Sequence, residues 1–176
     1  MDTENEAHQQ FETLFRRYEQ PICSYLARLT GNQGRAQELT QETFLRAYVC
    51  MSRQALEPGA GWENPRAWLY SVASRLAIDA HRRRKLIEWL PLLGTEPNPG
   101  SNPETVVAKQ LAVQEALDAL APKYRIPLLL YVHEGWKVQE IAEMLDLSVS
   151  AVKMRLCRAR EQFREAYEQG ETDDKV

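Results

Sequence analysis

Several absences narrow the reading of this 176-residue chain before any motif is considered. The longest apolar run, Ile126 to Val132, is interrupted by Pro127 and falls far short of the roughly 20 residues that span a bilayer as a helix. Met1 to Gln10 are acidic and polar, so no secretory signal or membrane insertion is expected. Only 8 glycines are present, too few for a glycine-rich β fold. The three cysteines, Cys23, Cys50 and Cys157, are odd in number and far apart. That pattern fits reduced thiols in a cytoplasm and not a disulfide framework. No cysteine pair has metal-ligand spacing, and His8, His81 and His133 lie near none of them, so a zinc site is not expected. No nucleophile–base pair, metal cluster or phosphate loop is visible. The expectation is a protein that is not an enzyme and carries no cofactor.

What is present is a segregated charge pattern. The formal net charge is only −3, but residues 64–85 carry 6 basic and 1 acidic group, and residues 148–164 carry 5 and 1. The segments between and around these blocks are acidic. Phosphate binding needs local positive charge and not a basic whole protein.

Apolar spacing predicts helices throughout, with no alternating strand pattern. Phe11, Leu14, Phe15, Tyr18, Ile22, Tyr25, Leu26 and Leu29 recur at helical intervals, and Pro21 predicts a kink or break among them. Thr30-Gly31-Asn32 ends this segment. A second helix is expected over about 34–51, with Ala36, Leu39, Thr43, Phe44, Ala47 and Tyr48 on one side. A loop covers 52–63. A third helix is expected from Asn64, a plausible N-cap with Pro65 at the first helical position, to about Lys85. Prolines and glycines crowd residues 91–103, which marks a linker. Its start holds Leu86, Ile87, Trp89, Leu90, Leu92 and Leu93, which either fold back onto the first domain or form a docking surface. Beyond it lie an amphipathic helix to Leu120 and another, with Pro127 near its start, to about His133. Glu134-Gly135-Trp136 reads as a turn, and two helices follow. The expected architecture is all-α, with helical domains at 8–85 and 104–170 joined by a linker at 86–103.

Residues 137–164 have the form of a helix-turn-helix. Ile141 and Leu145 face inward on its first helix, and Ser148 caps the second. Val152, Leu156, Ala159 and Phe163 form the packed back of that second helix. At 100° per residue, Ser150, Met154, Cys157, Arg158 and Glu161 point away from it. Lys153, Arg160 and Arg164 flank one side, and Ala151 and Arg155 the other. A packed back, small residues at the N-terminal front and basic flanks suit a major groove. In the first basic block, the end of the helix from His81 to Lys85 can grip phosphates. Trp62, Trp68 and Tyr70 lie just upstream, where aromatics near positive charge suit unstacked bases. The rings can equally be core, and at least one of Trp62 and Trp68 is expected to be half buried.

Three segments together carry a family resemblance. Gln37 through Tyr48 (QELTQETFLRAY) resembles the core-polymerase-binding segment of bacterial sigma factors. Asn64 through Asp79, with Arg82-Arg83-Arg84, resembles their promoter-melting helix. Ala116 through Glu161 resembles their helix-turn-helix domain. The resemblance covers residues 10–167, and the short two-domain form is similar to the extracytoplasmic-function group. It implies a first domain that binds the β′ clamp helices of core RNA polymerase through Glu38, Gln41, Glu42 and Leu45. The same domain would contact minus-ten promoter DNA through Trp62, Asn64, Arg66, Arg75, Arg82, Arg83, Arg84 and Lys85, with the 52–63 loop helping to form a pocket for a flipped base. The second domain would read the minus-thirty-five element through Ser150, Ala151, Lys153, Met154, Arg155 and Arg158, and sit on the β flap. An anti-sigma factor is a further implied partner. The rival reading, a one-component helix-turn-helix repressor, leaves the 37–48 segment unexplained.

Overall fold

A computed structural model describes the backbone of residues 2–54, 64–88 and 105–173, and the side chains of residues 8–52, 64–84 and 110–169. Seven helices form among the described residues, with no strand: α1 (Asp2–Thr30), α2 (Gln33–Gln54), α3 (Pro65–Glu88), α4 (Thr105–Ala119), α5 (Pro122–Val132), α6 (Val138–Leu145) and α7 (Val149–Asp173). The all-α expectation therefore holds. Most of the 52–63 loop and of the linker lies outside the described residues.

Helices α1, α2 and α3 pack on one another, while α4, α5 and α6 pack around α7. The first group closes over Ile22, Tyr25, Leu26, Phe44, Ala47, Leu69, Tyr70 and Ala73, all nearly or fully buried. An aromatic cluster seals its outer end, with Phe15 edge-on to Phe44 at 4.9 Å and Phe11 edge-on to Tyr48 at 5.2 Å. Tyr48 nevertheless stays 45% exposed, at the margin of the stripe in which the spacing had placed it. The second group closes over Leu117, Leu120, Ile126, Leu130, Ile141, Val152, Leu156 and Ala159. Each large apolar side chain so buried contributes about 1.5–3 kcal/mol.

Two prolines behave differently from their sequence reading. The break expected at Pro21 is absent, and α1 runs through it as one helix. Pro21 sits on the exposed side of α1, while Leu14, Ile22 and Leu26, on either side of it, share one buried stripe. The packed stripe holds the helix together, and the carbonyl that loses its donor lies toward water. Pro127 lies in the middle of α5 and not near its start; Pro122 occupies the first turn instead. Elsewhere the local signals act as expected. The Ala67 N–H donates to Asn64 Oδ1 at 3.0 Å, capping α3, and the Arg35 N–H donates to Asn32 Oδ1 at 2.9 Å, capping α2.

The two groups touch directly. Gly31, at φ +65° after the end of α1, approaches α4 so closely that a Cβ would lie 2.7 Å from Asp118 Oδ2. Both its backbone conformation and its lack of a side chain are required there. Arg125, on α5, is buried, and its Nη1 donates to the Leu29 carbonyl at 2.8 Å and to Asp118 Oδ1 at 2.6 Å. Gln114 Nε2 donates to the Arg28 carbonyl at 3.1 Å. On the other side, Tyr70 is stacked edge-on between Tyr25 of α1, at 5.2 Å, and Trp136 of the α5–α6 turn, at 5.7 Å.

Burial sets the ionisation of the two tyrosines in this stack. It pushes the Tyr25 phenol far above its usual value, against a smaller opposite effect from its 2.8 Å hydrogen bond with Ser74. It raises the Tyr70 phenol as well, helped by the hydrogen bond to Glu134. A raised folded-state value means that this stability is fully present below the unfolded value of about 10 and is lost as pH climbs above it. Stability should therefore fall above pH 10 by up to about 1.4 kcal/mol per pH unit for each of the two tyrosines. Tyr25→Phe should remove about half of that slope. Ser74 keeps its bond to the Tyr70 carbonyl at 2.7 Å, so the substitution leaves no orphaned hydroxyl. Urea unfolding of both proteins at a series of alkaline pH values measures it; parallel curves would contradict the assignment.

Candidate nucleic-acid and polymerase interfaces

On α2 the face opposite the core presents Glu38, Gln41 and Leu45, all exposed, with Leu45 at 57%. Glu42 lies beside them and is held by the Arg46 guanidinium at 2.9 Å, one helical turn on. Val49, 40% exposed, extends this strip by a further turn beyond Leu45 and joins Tyr48 at its edge. Val49 was not among the sequence candidates. Its type alone suggests core, and only the packing shows that it faces out. An exposed apolar strip rimmed by carboxylates suits a protein partner better than it suits DNA.

The basic block of α3 divides into two ends. Arg75, Arg82, Arg83 and Arg84 are exposed and form a cationic C-terminal half. Asn64 and Arg66 stand at the other end, about 24 Å away along the axis from Arg66 to Arg82. Asn64 is committed to its cap, and Arg66 is committed to the other helix group. Its Nη2 donates to the Glu134 carbonyl at 2.9 Å, and its guanidinium lies 4.2 Å from the Trp136 ring centroid. The eight candidates on and around this helix are therefore not one cluster. Trp62 lies outside the described residues, as does the side chain of Lys85. Trp68 is more than half buried, which favours its reading as core.

The helix-turn-helix is built from local rules. The Lys137 N–H donates to Glu140 Oε2 at 2.7 Å at the start of α6. Asp146, at φ 53°, ends α6 in the left-handed region, and the Leu147 N–H returns to the Ala142 carbonyl at 2.9 Å. Ser148 Oγ accepts the Ala151 N–H at 3.1 Å and so caps α7. The packed back is as expected: Val152, Leu156 and Ala159 are buried and Phe163 partly so. Ser150, Lys153, Met154 and Arg158 are exposed, and Ala151 and Arg155 are half-buried at the edge. Ser150, Met154 and Arg158 thus share the front of one helix, with Lys153 on one flank and Ala151 and Arg155 on the other. Lys153, Arg160 and Arg164 line a recess of about 390 Å³ beside it, with the Arg160 guanidinium 5.4 Å from the Tyr131 ring. Cations aligned along one flank of a helix favour phosphate. Tyr124, which sequence spacing could not link to α7, accepts a long 3.4 Å hydrogen bond from Arg158 Nη1. That bond holds the Tyr124 phenol below its usual value.

Residues 14–87 match the family described as Sigma-70 region 2, and residues 110–163 match Sigma-70, region 4. The ECF RNA polymerase sigma factor SigW of Bacillus subtilis is 31% identical over 160 residues, a match covering 84% of this chain and 83% of that protein. The chain belongs to the ECF RNA polymerase sigma factors. SigE of Mycolicibacterium smegmatis is 33% identical over 161 residues, covering 88% of this chain and 60% of that protein. The chain thus spans little more than half the length of that relative, and 45% of two further mycobacterial ones. The sigma factor RpoE of Bartonella quintana, solved in complex with the anti-sigma factor NepR, shares the fold with a TM-score of 0.70 at 17% identity, covering 91% of this chain and 98% of that one. Among the described residues, no helix is long and apolar enough to cross a membrane.

Ser148→Ala removes the acceptor that satisfies the first turn of α7. The expected loss is about 1 kcal/mol of stability, read as a lower urea midpoint with an unchanged slope. A midpoint equal to wild type would mean that water replaces the cap at no cost.

Proposed function

We propose that this ECF sigma factor is a dissociable, non-enzymatic subunit that gives core RNA polymerase its promoter choice. The observation that supports this best is the pairing, on one chain, of an apolar, acid-rimmed strip on α2 with two separate cationic helices. One surface suits a protein, and the other two suit nucleic acid. In this reading residues 8–85 bind the β′ clamp helices and open minus-ten DNA, 86–103 link the domains, and 104–170 sit on the β flap and read the minus-thirty-five element. The place of action is the cytoplasm, with core polymerase.

Glu38, Gln41, Glu42 and Leu45 make the clamp contact, joined by Val49. Arg75, Arg82, Arg83 and Arg84, with Lys85, Arg66, Asn64 and Trp62, serve the minus-ten element. On α7 the front residues Ser150, Ala151, Met154 and Arg155 approach bases, and Lys153 and Arg158 supply cations at the groove. Phosphate contacts place such a protein, and a few base contacts specify its site. An anti-sigma factor is the regulatory partner in this reading, as NepR is for the RpoE it was solved with. Co-purification with core enzyme, followed by run-off transcription on genomic fragments, tests the proposal. A repressor would not bind core polymerase stoichiometrically.

Two substitutions divide the roles. Glu42→Lys reverses a charge on an exposed strip, where the fold should lose no more than about 0.5 kcal/mol. Affinity for core polymerase should nevertheless fall about tenfold or more, since a misplaced charge at an interface costs several times RT. A fluorescence titration with core enzyme reads this, and unchanged affinity would remove α2 from the contact. Arg158→Ala should weaken promoter binding in one of two distinguishable ways. Loss of a base contact costs about 1–3 kcal/mol at one promoter position only. Loss of a phosphate contact weakens all promoters alike and lowers the salt slope by about one. Binding measured across a promoter library at several salt concentrations separates them, and the absence of both effects would exclude Arg158 from the groove.

A further inference from the structure

Among the candidate groove cations of α7, Arg158 is the one tied to another helix. Its Nη1 donates to Tyr124 Oη at 3.4 Å, across 34 residues of sequence. Among the described residues, the side chains of Lys153 and Arg155 make no hydrogen bond or ion pair. Tyr124 stands in the first turn of α5, outside the helix-turn-helix itself, and the residues that follow it, Arg125 to Leu130, are all buried. That helix is therefore firmly seated. The Tyr124 ring packs against the core while the residue stays partly exposed. A tyrosine so placed has an anchored apolar body and a polar tip at the surface.

The phenol oxygen thus has a fixed position, and the exposed guanidinium has a variable one. An arginine side chain has many rotamers, and holding one of them on DNA costs binding free energy. A partner that selects the rotamer beforehand removes part of that cost. From this we infer that Tyr124 is a positioning residue for Arg158, whose guanidinium it holds at the front of α7 before DNA arrives. The bond engages one Nη hydrogen, and the rest of the planar fork stays open to an acceptor on DNA. At 3.4 Å the bond is long, so it biases the guanidinium without locking it, and DNA can still draw the side chain forward. The inference rests on the sigma-factor reading above, in which Arg158 meets the minus-thirty-five element.

The charges around the phenol agree with this role. Two cations face it: Lys123 Nζ lies 4.9 Å from the ring centroid, and Arg158 donates to the oxygen. The Arg158 bond is the largest influence holding the phenol below its usual value, with desolvation opposing it and Lys123 adding to it. The same bond raises the Arg158 guanidinium above its usual value, so the two partners shift in the directions expected of one charge-assisted contact. Lys123, Tyr124 and Arg158 together extend the cationic surface of α7 onto the start of α5. The helix-turn-helix period says nothing of this edge, because it comes from a helix before the motif.

Tyr124→Phe removes the oxygen and keeps the ring in its packing, so the far-ultraviolet circular dichroism and urea midpoint should stay near wild type. Binding of the full chain, assembled with core polymerase, to a promoter library should weaken about two- to tenfold, the worth of one hydrogen bond. The loss should fall on the same promoter positions, with the same salt dependence, as the loss in Arg158→Ala. In the Arg158→Ala background, Tyr124→Phe should change nothing further. A loss that persists there would make Tyr124 a DNA contact in its own right and overturn the inference. Wild-type binding by Tyr124→Phe would overturn it as well. A second measurement needs neither polymerase nor promoter. In the free chain with tyrosine isotope-labelled at Cζ, the Tyr124 resonance, assigned by its absence in Tyr124→Phe, should titrate at lower pH in wild type than in Arg158→Ala. Identical titrations would mean that the contact does not form in solution, and the positioning role would fall. If wild type itself does not bind core enzyme and promoter, the sigma-factor reading fails and takes the role with it. A failure confined to the coupling between Tyr124 and Arg158 strikes the positioning role alone.

Discussion

Tyr70 is the residue on which the relative placement of the helices depends. Its ring is edge-on to Tyr25 inside the first helix group and edge-on to Trp136 from the second. A single buried side chain thus belongs to both cores. Its hydroxyl needs an acceptor in this dry position, since an unpaired buried hydroxyl is costly, and Glu134 supplies it. Glu134 in turn receives His133 Nδ1 at 2.7 Å on its other oxygen, and its carbonyl holds Arg66. The α5–α6 turn is therefore shaped as much by α3 as by the helix-turn-helix to which it belongs.

Charge is partitioned to match. Arg75, Arg82 and Arg83 in the second half of α3, and Lys153, Arg158, Arg160 and Arg164 on α7, are exposed to water. The exceptions are Arg66 and Arg125, both drawn into the junction between the groups. Burial lowers the Arg125 guanidinium below its usual value, against the opposing pull of Asp118. Removing a guanidinium from water costs several kcal/mol unless carbonyls and a carboxylate surround it. Arg125 receives them from Leu29, Asp118 and Leu120. A junction built from such groups gives specificity of placement more than strength.

Much of this was legible in the residues themselves. Helical class, the buried stripes of α1 and α7, the caps at Asn64 and Ser148 and the outward front of α7 all follow from short-range rules. Period, capping chemistry and turn preference act within about four residues, so a single sequence displays them. The exceptions were the two prolines. Pro21 was expected to interrupt α1 but does not, because tertiary packing of the stripe on both sides outweighs one lost hydrogen bond.

What only the tertiary structure decided are the pairings of residues far apart in the chain. Nothing in the spacing of Arg66 and Trp136, of Ser71 and Met144, or of Arg125 and Leu29 marks them as neighbours. A turn read as Glu134-Gly135-Trp136 becomes a buried docking point because another helix arrives to cover it. Val49 faces outward and Tyr48 stands half out for the same reason, since which side of α2 is buried beyond its central stripe depends on where α1 ends up. Residue type and local period determined which helices form and what each can touch. The meeting of non-local surfaces, where burial and unpaired polar groups are settled together, determined which of those groups are free to act.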